Sequence, residues 1–365
     1  LIWVGTKSGG LNRFDRHSET FKRFVHDPED PLSISHNNIL SIYEDRQGLL
    51  WFTRYDVSPF GLECYDKKNG QFRVYHHDPQ DPYSLSSDLV FGIFEDRAGT
   101  LWIIHLLESV DKIDRYGSRF DVFRHHAHNP NSISANAVVR VFEDSREQIW
   151  VGPFGTGIDR LDPVSGLFTR FPPEKSPSGI QGMATYVPAI FEDRDGTFWL
   201  GNFGGTLSRF DPLSGQVLKT YSHDPGNPQS LAKHSQLNHI CQDIKRSDTL
   251  WLGAYGAGLV KFNKTEESFA RYSLSANEMW MLIQDREGII WIPTLGGGLD
   301  RFDPATENLT NFRHDPDNPA TLSSNSLNFV YEDPAAQILW IGGTAGLDKF
   351  DKQNGRVLQR YTRFS

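Results

Sequence analysis

Eight tryptophans spaced 40 to 52 residues apart, each inside the same strand-like phrase, predict an all-β chain folded as a β-propeller of four-stranded antiparallel blades. They are Trp3, Trp51, Trp102, Trp150, Trp199, Trp251, Trp291 and Trp340. The phrase reads Leu-Trp-x-Gly, a Gly-rich turn, then Leu-x-Arg-Phe-Asp, as at residues 299–303. The units are alike from end to end, and no linker or charge block interrupts them. Residues 1–365 therefore read as one domain, and the start inside a repeat suggests a fragment of a longer chain.

The unit that begins at Asn325 shows each element in order. Residues 327–332 are a short, largely apolar run, as expected of an inner strand covered on both faces. Asp333 opens a tight turn, which other copies write as Asp-Arg-x-Gly at 45–48, 96–99 and 193–196. The carboxylate accepts backbone N–H bonds there, and glycine supplies the positive φ. The second strand carries Trp340 and ends at Gly342 and Gly343. The third, 347–351, alternates apolar and polar residues, and Asn354-Gly355 turns the chain into the fourth, 357–361.

Between units runs a connector such as His314-Asp315-Pro316, whose prolines end the outer strand. A lone four-stranded sheet cannot bury both faces, so the Trp and Phe of each unit should fill the gap to the next. Seven copies have all four strands, with inner strands near residues 38, 89, 137, 186, 237, 278 and 326. The first, residues 1–24, has only the outer three. Of the seven-bladed and eight-bladed readings we favour eight, because the first copy keeps its core residues. Pro188 should be tolerated if the innermost strand has one edge without a ladder partner.

Composition narrows the function. Both charge signs are interspersed and the net charge is −9, so no nucleic acid partner is expected. No apolar run is long enough to insert in a membrane. Cys64 and Cys241 stand where other copies carry other residue types, which suggests packing rather than chemistry.

His26, His77, His125, His223 and His314 share one repeat position, so they should lie far apart and no metal is expected. His126 and His128 add density but bring no carboxylate or cysteine at ligand spacing. A basic column (Arg13, Lys112, Arg160, Arg209, Lys261, Arg301, Lys349) and an acidic one (Asp45, Asp96, Asp144, Asp193, Asp243, Asp285, Asp333) should form a structural ladder with each other. No cofactor is expected.

Taken together, Leu-Trp-x-Gly-Thr with Gly-Gly-Leu-x-Arg-Phe-Asp, Glu-Asp-Arg-x-Gly and the His-Asp-Pro connector resemble the two-component regulator propeller repeat. The resemblance covers essentially the whole chain. It implies the periplasmic or extracellular sensor of a bacterial hybrid histidine kinase, with an oligosaccharide or similar small molecule as ligand. A homodimer of the full-length protein is left open. The turn at 96–102 is one residue too long between Asp and Gly for the Asp-box of sialidases.

Function should lie where the repeat breaks. The copy after Trp51 inserts Arg54, Tyr55 and Asp56 with four further residues, and the next replaces its glycines by residues 105–108, with His105 and Glu108. Phe154, Phe203 and Tyr255 place rings at one turn position, and Trp280, a ninth tryptophan outside the repeat, stands beside Glu278. Rings stack on a pyranose while polar groups bond its hydroxyls, so these ten residues form the candidate ligand site. Two further classes stay open. One is a carbohydrate hydrolase or lyase, using Asp56 with Glu108 or His105 with Tyr55. The other is a protein-interaction platform.

Overall fold

Strands follow one another as antiparallel neighbours, because each connection within a repeat is too short to cross over. The computed structural model describes residues 1–54, 61–105, 109–113, 119–171, 187–202, 204–232 and 236–362. Among these, 31 strands and no helix make eight sheets, seven of four strands and the first of three. The chain is an eight-bladed β-propeller. Its blades divide into two compact units, Leu1–Phe171 with the first four and Pro172–Ser365 with the last four.

Seven of the eight repeat tryptophans are at most 3% exposed; Trp3 is only partly buried, against Phe24 and Tyr65. Each core lies between consecutive blades. Trp199, Leu207 and Tyr221 of the fifth blade, for example, pack on Leu250, Leu252 and Phe262 of the sixth. Cys64 and Cys241 are free thiols.

The acidic column has a shared partner other than the basic one. Each aspartate of the acidic column accepts the indole N–H of its own repeat tryptophan, at 2.7–3.1 Å in all seven copies. The basic residue lies across the strand pair from the same tryptophan, as Arg160 does from Trp150. Arg160, Arg301 and Lys349 sit 5.7–6.0 Å from the ring centroids. The indole thus gives its polar edge to the acid and its face to the base.

The histidine column is also structural. Nδ1 of His26, His77, His125, His223 and His314 lies 2.6–2.9 Å from the carbonyl oxygen eight residues on. A carbonyl can only accept, so Nδ1 carries the proton and staples the connector. Gly61 shows why the turn before the third strand needs glycine: φ is +73° and a Cβ would meet the Tyr75 oxygen at 1.9 Å.

The outer hairpins carry a second device. Glu267 and Glu307 occupy the left-handed turn position, with φ of 55° and 56°. Glu267 accepts the Tyr221 hydroxyl at 2.8 Å and pairs with Lys219 of the preceding blade. Glu307 likewise meets Lys261 at 2.9 Å, and after desolvation its charge helps to raise the pKa of the Tyr272 phenol. Where the preceding blade has phenylalanine instead (Phe24, Phe123, Phe312), the turn residue is glycine (Gly70, Gly166, Gly355).

Two expectations about inner strands are refined. Pro188 directly precedes Ala189–Glu192, the edge strand of its sheet, which among the described residues pairs only with Phe198–Gly201. The inner strand expected near 278 is instead Ile283–Gln284, preceded by an isolated bridge from Met279 to Thr294. The shortened connector leaves residues 280–282 outside the ladder.

Candidate functional site

Within each unit, the described turns between the second and third strands lie beside the residues that lead into the next blade's inner strand. Backbone bonds fix this: Gly10 donates to Asn37, Gly61 to Asp88, Gly256 to Asn277 and Gly296 to Asn325, at 2.9–3.1 Å. Neighbouring turns and strand starts therefore form one surface within each unit.

In the second unit this surface brings together three of the candidate residues. Tyr255 and Trp280 have ring centroids 5.9 Å apart, tilted by 41°. The Tyr255 phenol lies near Glu278; desolvation and the charge of Glu278 both raise its pKa. Trp280 is 60% exposed, unlike the repeat tryptophans. Met279 between them is buried, and the Leu295 N–H holds the Glu278 carbonyl at 2.9 Å. A fixed anchor thus turns both of its neighbours outward.

Trp280 is not outside the repeat. It stands five residues before Asp285, as Leu40, Phe91, Val139, Pro188, Asn238 and Asn328 stand before their own turn aspartates. In five of those copies this residue is the extra one of a β-bulge, skipped by the pairing register. A bulge re-aims a side chain and leaves its N–H outside the ladder, which also explains how Pro188 fits. Leu40 and Phe91 are 41% and 48% exposed. The sequence reading missed this column. Its signal was a fixed offset from the turn aspartate, with Asn238 and Asn328 standing out as polar residues inside largely apolar runs.

The first unit treats its candidates differently. Tyr55, Asp56 and Glu108, like Phe203 of the second unit, lie outside the described residues. Phe154 is exposed in its turn, with its N–H on the Ala137 carbonyl at 2.6 Å. His105 is fully buried, and Nε2 meets Asp111 Oδ2 at 2.9 Å. The sequence reading names it as a candidate ligand contact; in the structure its ring is engaged inside the blade by Asp111 of the third strand. Arg54, at the same repeat position one blade earlier, is part-buried at the end of Leu49–Arg54, and its charge acts on Glu63.

Glu63 and Asp111 belong to a ladder that sequence reasoning did not single out. Glu63, Asp111, Asp159, Asp300 and Asp348 accept the N–H of Ser35, Ser86, Ser134, Ser275 and Ser323 at 2.6–3.0 Å. Each ties the connector to its own blade. Burial raises the Glu63 pKa to about 7, against the lowering effect of the Ser35 bonds and Arg54. Asp159 is raised to about 6 for the same first reason.

A folded pKa above the unfolded one gives stability that is complete below about pH 4.5 and lost as pH rises through about 7. The melting temperature should therefore fall between about pH 5 and pH 8. Glu63→Gln should flatten that fall, with Asp159 supplying part of the remaining slope. An unchanged slope in thermal melts would remove Glu63 from this role.

Two other features were weighed as sites. Asp285, Glu287 and Glu332 place carboxylate oxygens within 4.8 Å of one another. The Lys352 ammonium already sits among them, 3.2 Å from Asp285 and in contact with both glutamates. Lysine supplies the cation that a metal would bring. A groove of about 230 Å³ lies between Trp102, Lys112 and Phe123 of the third blade and Val164 and Gly166 of the fourth. It is open because Gly166 stands where Glu267 and Glu307 reach back at other junctions.

The two component regulator propeller model matches residues 33–53 and 181–204. Three solved structures give the wider comparison. The extracellular domain of a putative hybrid two component system from B. thetaiotaomicron is 20% identical, with 100% of this chain and 50% of that one covered and a TM-score of 0.47. A second such domain from the same organism is 19% identical over 100% and 47%, again at 0.47. The computationally designed Ika8 protein is 12% identical over 98% and 92%, at 0.60. The chain spans about half the length of the two extracellular domains. No curated protein matches it.

Proposed function

We propose, for a chain that carries two-component regulator propeller repeats, a ligand-binding sensor module acting outside the cytoplasm for two-component signalling, with an oligosaccharide as ligand. The observation that carries the site is the exposed Trp280, held beside Tyr255 and Glu278 at the turn-bearing surface. An indole left in water on a pinned backbone forgoes burial worth about 2–3 kcal/mol, which suits a surface that is covered by ligand. Aromatic rings beside a hydrogen-bonding carboxylate fit the alternating apolar and hydroxyl faces of a sugar.

The enzymatic reading has less support. His105 was the base proposed for lyase chemistry, and its Nε2 is engaged by Asp111 in a fully buried setting. The test is a thermal-shift screen of neutral, amino and acidic oligosaccharides, with a parallel assay for new reducing ends. Tyr255→Ala with Trp280→Ala should lower affinity for any sugar that shifts the melting temperature by about 10–100-fold, on the scale of lost hot-spot rings. Unchanged affinity at unchanged stability would exclude this surface, and new reducing ends would favour the enzyme.

A further inference from the structure

The charge of the ligand is open in the reading above, and the second unit supplies a sign. Among the described residues at 254–257, 275–280, 294–298, 323–326 and 343–346, which make the turns of the sixth to eighth blades and the strand starts of the seventh and eighth, Glu278 is the one charged side chain. Arg313, which directly follows the adjoining outer strand Asn308–Phe312, donates to the Gly296 and Gly297 carbonyls at 3.3 and 3.4 Å. Glu278 is exposed, and its near neighbour Tyr255 is a neutral group.

We infer that Tyr255, Glu278 and Trp280 form a seat for a positively charged nitrogen, so that the ligand carries an amine next to an apolar face, as an amino sugar does. The inference rests on the sugar-binding reading and adds the class of sugar. Ring faces are electron-rich, so an ammonium placed over Trp280 or Tyr255 is attracted by the quadrupole. A carboxylate beside the rings adds a charge-assisted hydrogen bond and repels uronates and sulfated sugars.

The seat is also pre-organised. Gly256 donates to the Asn277 carbonyl at 3.0 Å, Leu295 to the Glu278 carbonyl at 2.9 Å, and buried Met279 bridges to Thr294. Little ordering is left for the ligand to impose. The Tyr255 phenol brings no charge of its own at neutral pH, which leaves carboxylate lone pairs of Glu278 for the amine.

Isothermal titration of the intact chain should compare four probes: a β-1,4-linked glucosamine dimer, its N-acetylated counterpart, a galacturonate dimer and choline. The amine dimer should bind about tenfold more tightly than the N-acetylated one, the uronate most weakly, and choline weakly but measurably. Glu278→Gln should erase the amine preference, and Trp280→Ala should weaken amine dimer and choline alike. Both side chains are exposed, so melting temperatures should stay unchanged. Choline binding without any sugar binding would keep the cation seat and remove the sugar reading. Equal or tighter Trp280-dependent binding of the N-acetylated dimer or the uronate would overturn the charge inference and keep the sugar site. No binding of any probe overturns both.

Discussion

Replacing Trp199 by alanine is expected to lower the unfolding free energy by about 3–5 kcal/mol, the range for large aromatic truncations in cores. Trp199 is buried, gives its indole N–H to Asp193 at 2.8 Å, and meets Phe262 of the next blade edge-on at 5.3 Å. The substitution opens a void in a core that two blades share, and neither blade can close it alone. Urea unfolding measures the effect, and a loss below about 1 kcal/mol would show that the repeat tryptophan is not core. Trp280→Ala is the control, expected within about 0.5 kcal/mol because that ring faces water.

Lys352→Met should be the next most damaging change, at about 3 kcal/mol or more, because it leaves carboxylates facing one another without a cation. Burial alone would lower the Lys352 pKa, but Glu287, Glu332 and Asp285 together hold it above the ordinary lysine range. Glu287 responds in the opposite direction, drawn from 4.5 down to about 2 first by its bond to Lys352. A depressed carboxylate contributes stability that is present above about pH 4.5 and lost as pH falls through about 2. Lys352→Met should therefore be most harmful near neutrality and least harmful in acid. Chemical unfolding of both proteins at several pH values checks this, and a loss that does not shrink in acid would show that the cluster is not electrostatic in origin.

The blades were legible because each copy repeats both its core residue and its turn chemistry. Trp51 and Asp45, or Trp291 and Asp285, stand at fixed offsets in unlike surroundings. Which groups meet inside a blade was harder to read. The acidic and basic columns suggested each other by charge, whereas Asp144 is held by the Trp150 indole N–H and Arg160 lies over the face of the same ring. The pairing of His105 with Asp111 depends on a register that places Val110 opposite Ile104. A sequence shows both residues without showing that they share a face. The bulge at Leu40 or Phe91 inserts one residue into a ladder, and an apolar run carries no mark of where the insertion falls. At the candidate site, Tyr255, Glu278 and Trp280 were legible as departures from the repeat, while the anchor that presents them, Met279, read as ordinary core.

Near-identical repeats carry a hazard while the chain folds, since any nascent sheet offers much the same face to several wrong neighbours. The outer tyrosines and turn glutamates bear on that hazard. A turn carrying Gly166 docked against Tyr221 would bury a phenol with no acceptor, at a cost of about 1–3 kcal/mol. A turn carrying Glu267 docked against Phe123 would strand a carboxylate beside a ring that cannot donate. Matched neighbours avoid both penalties, as Tyr221 with Glu267 and Phe123 with Gly166 do. The residue at each hairpin tip therefore acts as an address label: two letters, Tyr-Glu or Phe-Gly, that help each newly made sheet reject the wrong sibling.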